Sequence, residues 1–127
     1  YFQDTIDITR KKGYSETLLK RRRYLPDINS KNFMLRAAGE RAAINSPIQG
    51  SAADIIKMAM ILINNDIALS KNCSMIMQVH DELVFEVNQN KVKEVSKKIE
   101  NHMISCITLN VPLVVDIGFG KTWAESH

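Results

Sequence analysis

Three polar residues, His80-Asp81-Glu82, interrupt an otherwise apolar stretch from Met75 to Val87. Two adjacent carboxylates suit a hard cation, because Mg²⁺ takes oxygen ligands and is often held by one or two carboxylates plus substrate phosphates. An ordinary solvated turn would also accept these residues, since Asp is favoured in turns. A zinc site is not indicated, because no second His lies at helical or hairpin spacing from His80.

The apolar residues on either side predict a β-hairpin with the three polar residues at its tip. A two-residue tip at His80-Asp81 would place Glu82 opposite Val79. Because a slip of one residue exchanges the two faces of a strand, the burial pattern favours a three-residue tip. That register gives three apolar opposed pairs on one face: Val79/Leu83, Met77/Phe85 and Met75/Val87.

Further helices and strands must hold this hairpin in place, and their order predicts an α+β fold with helices packed on an antiparallel sheet. Residues 1–12 have a helical pattern that ends before Gly13, and residues 14–26 are predicted to form a hairpin with a basic tip. An amphipathic helix is predicted over residues 92–106. A last strand is predicted in "VPLVVDIGFG", residues 111–120.

Between these elements, the sequence predicts two helices that meet at Ser46-Pro47. Ser46 suits an N-cap, Pro47 the first helical position, and Gln49 the capping-box position. The second helix is expected to reach about Leu69. Its first turns, "GSAA" (residues 50–53), carry very small side chains. Another helix or a ligand backbone is therefore expected to approach closely there.

The composition is that of a globular protein, with 45% hydrophobic and 24% charged residues in 127. The net charge is +3, with basic runs at residues 10–12 and 20–23. A basic patch suits a polyanion, although a solvated surface explains it equally well on charge alone. Two cysteines without metal-ligand spacing indicate a reducing compartment. No run of membrane-spanning length and no signal peptide is seen. The absence of an initiator Met suggests a piece of a longer chain.

Two motifs in this order, "ERAAINSPIQGSAADIIK" and "QVHDELVFEV", resemble the C-terminal part of family A DNA polymerases, the bacterial DNA polymerase I type. The resemblance covers nearly the whole chain, because "GYSETLLKRRRYLPDINS" is similar to the hairpin that precedes those helices and "VPLVVDIGFGKTWAESH" to the family's C-terminus. One departure is visible: family members often have Gly near the basic hairpin tip, where this chain has "TLLKRRR".

The resemblance implies a role for seven residues. Asp81 would be one of the aspartates that bind the two catalytic Mg²⁺ ions, with Glu82 as a supporting carboxylate. Arg36 would meet a phosphate. Four residues match family positions that touch the primer–template near its growing end: Arg41, Asn45, Gln49 and His80. Such donors suit the minor groove, whose acceptor pattern hardly depends on the base pair.

The implied activity is that of a DNA-directed DNA polymerase, in which a primer 3′-hydroxyl attacks a deoxynucleoside triphosphate. Residues 1–40 would belong to the fingers and residues 41–127 to the palm of the right-hand fold. The partners would be primer–template DNA and deoxynucleoside triphosphates, with no membrane, in the bacterial cytoplasm at the nucleoid. The family's first metal-binding aspartate and its nucleotide-binding helix have no match in this sequence, so the chain alone is expected to be inactive.

Two other functions are considered. One is a non-catalytic DNA-binding module with the same fold, against which the retained site residues argue. The other is a metal-dependent hydrolase that uses Asp81 and Glu82. It would need further ligands, and Glu86 and Asp116 are the carboxylates expected on neighbouring strands. Neither of these two carboxylates has a partner motif in the sequence.

Overall fold

The computed structural model describes residues 2–126. They divide into two compact units, the first ending at Asp54 and the second beginning at Ile55. The helices are α1 (Phe2–Lys12), α2 (Phe33–Asn65), α3 (Ile67–Ser70) and α4 (Val92–Ser105). The strands are β1 (Tyr14–Glu16), β2 (Arg22–Tyr24), β3 (Cys73–Val79) and β4 (Glu82–Val87). They form two antiparallel two-stranded sheets, β1–β2 and β3–β4, and the predicted α+β class is confirmed.

The first predicted helix and the hairpin after it are both confirmed. Gly13 ends α1 with a φ of 84°, a left-handed conformation that glycine adopts without steric cost. In β1–β2, Tyr14 pairs with Tyr24 and their rings make an edge contact with centroids 5.6 Å apart. At the hairpin tip Lys20 has a φ of 68°. This is the conformation that a tip glycine would favour, so the sequence departure places lysine in a glycine-type position.

The core of the first unit forms where α1, the segment after β2 and α2 pack together. Its members are Ile6, Leu25, Ile28 and Ala43. Ile28 lies in a short 3₁₀ turn, Pro26–Asn29, and is completely buried. These side chains bring α1, the segment after β2 and the first half of α2 into one packed body, because each of them supplies part of the same apolar cluster.

The predicted break at Ser46-Pro47 is wrong, since α2 is one helix of 33 residues with Pro47 inside it. Its N-terminus lies instead at Asn32, whose side-chain oxygen accepts the N–H groups of Met34 and Leu35. Ser46 does not act as an N-cap, because its Oγ accepts a hydrogen bond from Arg23. A proline inside a helix costs about 3 kcal/mol or more through the lost hydrogen bond and the ring's clash with the preceding turn. The hairpin contacts α2 on both sides of this proline, at Ser46 and at Gly50.

The helix also ends earlier than predicted, at Asn65 rather than near Leu69. Asp66 interrupts it, because its side chain accepts the Leu69 N–H at 3.0 Å and starts the short helix α3. The amphipathic helix predicted over residues 92–106 is confirmed as α4. The core of the second unit is formed by Ile63, Leu69, Val95 and Ile99.

The β3–β4 hairpin is present, but its predicted three-residue tip and the three predicted apolar pairs are wrong. The tip has two residues, His80 and Asp81, and Val79 pairs with Glu82. No glycine is needed because His80 takes a φ of 54°, a conformation in which His is more common than most residues. The sequence argument assumed uninterrupted pairing, whereas the register shifts between Met75 and Met77.

This bulge at Ile76 reconciles the short tip with the burial pattern. Without it, the tip register would place Met75 opposite Glu86; with it, Met75 pairs with Phe85. The bulge thereby keeps one face apolar, since an extra residue in one strand exchanges the faces beyond it. The residues of that face that pack against the core are Cys73, Met75, Leu83, Phe85 and Val87.

The last predicted strand is absent: residues 107–126 contain no strand in the structure. The segment pairs with neither β3 nor β4, and a strand requires a neighbour for its backbone N–H and C=O groups. Several of its apolar side chains are consequently exposed, as shown by Val111 at 70%, Val114 at 84% and Phe119 at 69%. The alternation of apolar residues predicted a strand without identifying the partner that it needs.

Candidate functional site

The tip of β3–β4 presents His80, Asp81 and Glu82 to solvent, and all three are exposed. The turn is braced from within, because the Gln78 side chain donates a hydrogen bond to the His80 carbonyl at 3.2 Å. Asp81 occupies the second position of the two-residue turn and Glu82 is the first residue of β4. A short hairpin anchored by a packed face therefore holds two carboxylates at its end.

These two carboxylates fit a partial site for a hard cation. They supply oxygen donors, which Mg²⁺ prefers, and their exposure leaves room for waters and substrate phosphates. Within residues 2–126, however, no three His, Cys, Asp or Glu side chains converge on a common point. Asp116 lies exposed in the segment that forms no strand. Asp81 and Glu82 by themselves therefore do not form a complete coordination shell, and a hydrolytic site that includes Asp116 gains no support.

A row of polar side chains lies along α2 in the first unit. Arg41, Asn45 and Gln49 are four residues apart and all three are exposed. Residues four apart share one face of a helix, and α2 continues without a break through Pro47. The row is therefore a series of three hydrogen-bond donors on one face of a continuous helix, called here the donor row. Because Gln49 lies inside the helix, its alternative role in a capping box is excluded.

Arg36 stands apart from this row. It lies five residues before Arg41 on α2, and its side chain is half-buried. Its guanidinium lies over the Phe33 ring, 5.7 Å from the centroid, and donates to the Ser30 carbonyl at 3.5 Å. The structure therefore places Arg36 at the N-terminal end of α2, in contact with local groups.

The structure also shows an ion pair that the sequence interpretation missed. Arg21 Nε lies 2.9 Å from Asp54 Oδ1, and Arg21 Nη2 donates to the Gly50 carbonyl at 3.2 Å. The Asp54 side chain is 7% exposed. A carboxylate so buried is expected to have a charged partner, so an Asp within the mostly apolar stretch "AADII" was a usable signal.

Two further hydrogen bonds join the hairpin to the same part of α2. Arg23 Nη1 donates to Ser46 Oγ at 2.7 Å, and the Leu18 N–H donates to Ser51 Oγ at 2.8 Å. Pro47 lies between the two serines in sequence. The small residues after it therefore accommodate the tip of β1–β2, an element that the sequence argument did not name.

Gly50 is the position of closest approach. A Cβ built there would lie 2.6 Å from the Thr17 Cγ2 atom, well inside van der Waals contact. Thr17 is itself fixed, because its Oγ1 accepts the Arg21 N–H at 3.1 Å. Beside this contact lies a cleft of about 220 Å³. Its lining residues are Ser15, Thr17, Arg21, Arg22, Arg23, Ser46, Gln49 and Gly50.

The two cysteines play no part in these sites. Burial raises the pKa of the Cys73 thiol and of the Cys106 thiol, so both remain protonated at neutral pH. The thiolate is the nucleophilic and metal-binding form of cysteine, and these two thiols are therefore structural. Among residues 2–126, no helix is long and apolar enough to cross a membrane.

Comparison with known proteins identifies the family. The model for "DNA polymerase family A" matches residues 1–125. The chain belongs to DNA polymerase family A. The match confirms the resemblance drawn from the two sequence motifs. Polymerases of this family generally depend on metal ions.

The relatives include DNA polymerase I of Mycobacterium leprae, which is 48% identical over 129 residues, and DNA polymerase I of Streptococcus pneumoniae, which is 50% identical over 127. These alignments cover 100% and 99% of this chain. The chain spans 14% of the length of each of these relatives. It therefore corresponds to a small part of a family A polymerase.

The fold is similar to that of a solved structure, the POL domain of Pol1 from M. smegmatis in complex with a DNA primer–template and dNTP. The TM-score is 0.93 at 46% identity, and the match covers 99% of this chain and 22% of that one. The predicted membership of the right-hand polymerase fold is confirmed by this similarity.

Proposed function

We propose that this chain is the C-terminal part of a DNA-directed DNA polymerase that adds deoxynucleotides to a primer 3′-hydroxyl. The observation that carries the proposal is the TM-score of 0.93 to a polymerase domain bound to primer–template and dNTP. In this proposal residues 1–40 belong to the fingers and residues 41–127 to the palm. The chain would work in the bacterial cytoplasm, at the nucleoid.

Asp81 is proposed as a ligand of the catalytic metal site, with Glu82 beside it. When bound, a pair of Mg²⁺ ions would activate the attacking oxygen and stabilise charge on the leaving oxygen. The contribution of this chain is to hold the Asp81 carboxylate at the end of a braced two-residue turn. A carboxylate fixed before the reaction needs no reorganisation when charge develops.

The exposed row Arg41, Asn45 and Gln49, together with His80, is proposed to donate hydrogen bonds to the minor groove of the primer–template. A polymerase must accept every base pair. The minor groove offers acceptors at similar positions in all of them, so donors there test pair geometry without reading sequence. Arg36 is proposed to contact a phosphate. The charged Arg36 guanidinium would donate a charge-assisted hydrogen bond to that phosphate.

The proposal is tested by replacing Asp81 in the full-length polymerase that contains this chain. Asp81→Ala should lower the single-turnover incorporation rate by at least about a hundredfold, since metal ions supply several kcal/mol of transition-state stabilisation. The Kd for primer–template should change little, because the loss falls on the transition state. Glu86→Ala, at an exposed carboxylate on β4, is the matched control and should behave like wild type.

Each outcome of this experiment is informative. If Asp81→Ala incorporates nucleotides within a few-fold of wild type, Asp81 is a turn residue and not a metal ligand. If the wild-type polymerase binds primer–template but does not extend it, the chain belongs to a non-catalytic DNA-binding protein of the same fold.

A further inference from the structure

Arg21 reaches α2 at two points that flank the turn after Gln49. Its Nη2 holds the Gly50 carbonyl at 3.2 Å, and its Nε holds the buried Asp54 carboxylate at 2.9 Å. Gln49 is the residue directly before Gly50 and lines the same cleft as Arg21. Because Gln49 and Gly50 lie in the same hydrogen-bonded helix, a contact that holds the Gly50 carbonyl also restrains the backbone that carries Gln49.

The contact between Arg21 and Gly50 lies close to Pro47, where α2 lacks one helical hydrogen bond. Pro47 has no N–H, so the turn that leads into it lacks one helical hydrogen bond, and proline usually kinks a helix at this point. The hairpin holds the helix on both sides of the proline, at Ser46 through Arg23 and at Gly50 through Arg21. Without these contacts, the part of α2 after Pro47 could change direction relative to the part that carries Arg41.

The close packing at Gly50 strengthens the same constraint. The 2.6 Å distance from its ideal Cβ position to Thr17 Cγ2 leaves room for glycine alone unless the hairpin moves. Thr17 is 8% exposed and hydrogen-bonded to the Arg21 N–H, so its methyl group has little freedom. The hairpin tip and the helix therefore determine each other's position at this residue.

We propose that Arg21 is a positioning residue that acts through Gly50 and Asp54 to keep Gln49 in line with Arg41. This inference rests on the proposed function of the donor row. Arg21 itself is already engaged with α2, and its effect on the primer–template is indirect. A lysine cannot replace it, because the two contacts use two different nitrogens of one planar guanidinium.

A double-mutant cycle in the full-length polymerase tests this proposal. Arg21→Lys, Gln49→Ala and the double variant are compared by single-turnover extension of a matched primer. Each single change should slow extension at least about fivefold, within the range found for residues of one contact network. The double variant should be no slower than Gln49→Ala within about twofold, because Arg21 acts through Gln49.

Arg22→Lys is the matched control. It makes the same chemical change at the next residue, whose guanidinium lies over the Tyr14 ring at 4.3 Å from the centroid. Extension by this variant should stay within about twofold of wild type in both backgrounds. If Arg21→Lys does not fold, Asp54→Asn disturbs the same contact more gently. It should show the same loss and the same lack of additivity with Gln49→Ala.

The outcomes separate this inference from the function on which it rests. If the losses from Arg21→Lys and Gln49→Ala multiply, or if Arg21→Lys extends like wild type, the positioning role is refuted and the donor row is unaffected. If Gln49→Ala itself extends like wild type, the role of Gln49 in the proposed function is refuted, and the inference with it.

Discussion

Asp66 and His102 are joined by a hydrogen bond, with His102 Nε2 2.9 Å from Asp66 Oδ2. The other oxygen of the same carboxylate accepts the Leu69 N–H and starts α3. The hydrogen bond from His102, followed by that from Leu69, lowers the pKa of Asp66. One carboxylate thus connects the end of α2, the short helix α3 and α4.

The lowered pKa of Asp66 predicts a loss of stability in acid. A carboxyl group whose pKa is lower in the folded state stabilises fully above its unfolded value of about 3.9, and this contribution is lost as the pH falls through the folded value. Asp66→Asn lacks this contribution at every pH. Thermal unfolding from pH 6 to pH 2.5 should therefore show the wild type falling toward the variant below about pH 4.

The control for this experiment is Glu94→Gln on α4. Glu94 forms exposed ion pairs with Lys91 at 3.6 Å and Lys98 at 4.0 Å, and such surface pairs contribute little to stability. Its Tm should follow that of the wild type across the pH range. Parallel Tm curves for the wild type and Asp66→Asn below pH 5 would show that the Asp66 contacts do not stabilise the fold.

Lys20 is a position at which a glycine is expected to stabilise the fold. Its φ of 68° costs a non-glycine residue roughly 1–2 kcal/mol, which Lys20→Gly would relieve at the expense of some unfolded-state entropy. The free energy of unfolding in urea should rise by up to about 1 kcal/mol. Lys71→Gly is the matched control, because Lys71 has a φ of −71° and gains nothing. A loss of stability in Lys20→Gly as large as that in Lys71→Gly would contradict the prediction.

The donor row predicts a specific pattern of extension rates in the full-length polymerase. Arg41→Ala should slow extension of a matched primer by about tenfold or more, because hydrogen bonds from charged groups contribute about 1.5–3 kcal/mol. Asn45→Ala and His80→Ala should each slow extension a few-fold, and Gln49→Ala at least about fivefold. Stability should barely change, since all four side chains are exposed.

A base analogue identifies the contact behind these losses. Wild type should slow on a primer that ends in an analogue without its minor-groove acceptor, and the variant that lost the matching donor should show little further loss. Asn64→Ala, at an exposed amide near the end of α2, should leave both rates unchanged. If analogue and variant losses simply multiply for every residue of the set, these residues support the fold and do not contact the groove.

The proposed role of Asp81 predicts that this 127-residue chain has no activity by itself. No three metal-ligating side chains converge within residues 2–126, so the proposed site at Asp81 would need further ligands to bind catalytic metal ions. With primed template, four deoxynucleoside triphosphates and Mg²⁺, extension should not exceed that of a blank. The full-length polymerase is the positive control. Clear extension by the chain alone would mean that the active site lies elsewhere.

Local signals in the sequence predicted the elements whose ends depend on local chemistry. Gly13 correctly ended α1, and the apolar spacing of residues 92–106 correctly predicted α4. The family was also predictable, because the two motifs are specific in their order. Serine at position 46 and proline at position 47 gave an equally strong local signal, but it was wrong because Arg23 takes the Ser46 hydroxyl that a cap would use.

The remaining errors have the same origin in distant contacts. Nothing local to Ile76 indicates a bulge, which depends on matching Met75 to Phe85 across the hairpin. The predicted last strand had the right alternation but forms no sheet in this structure. The Arg21–Asp54 pair joins residues 33 positions apart. The sequence could indicate only that Asp54, in a mostly apolar stretch, requires a positively charged partner, and not which residue that partner is. The roles of the seven site residues remain predictions.

The continuity of α2 through Pro47 gives the donor row a fixed length. At a rise of 1.5 Å per residue, the eight steps from Arg41 to Gln49 span about 12 Å. Stacked base pairs are about 3.4 Å apart, so a row of that length along the groove would extend over three to four of them. A mismatched pair would then stay within reach of this row for several nucleotide additions after its formation. Extension would therefore depend on the geometry of roughly the last three to four base pairs, and not on the newest pair alone.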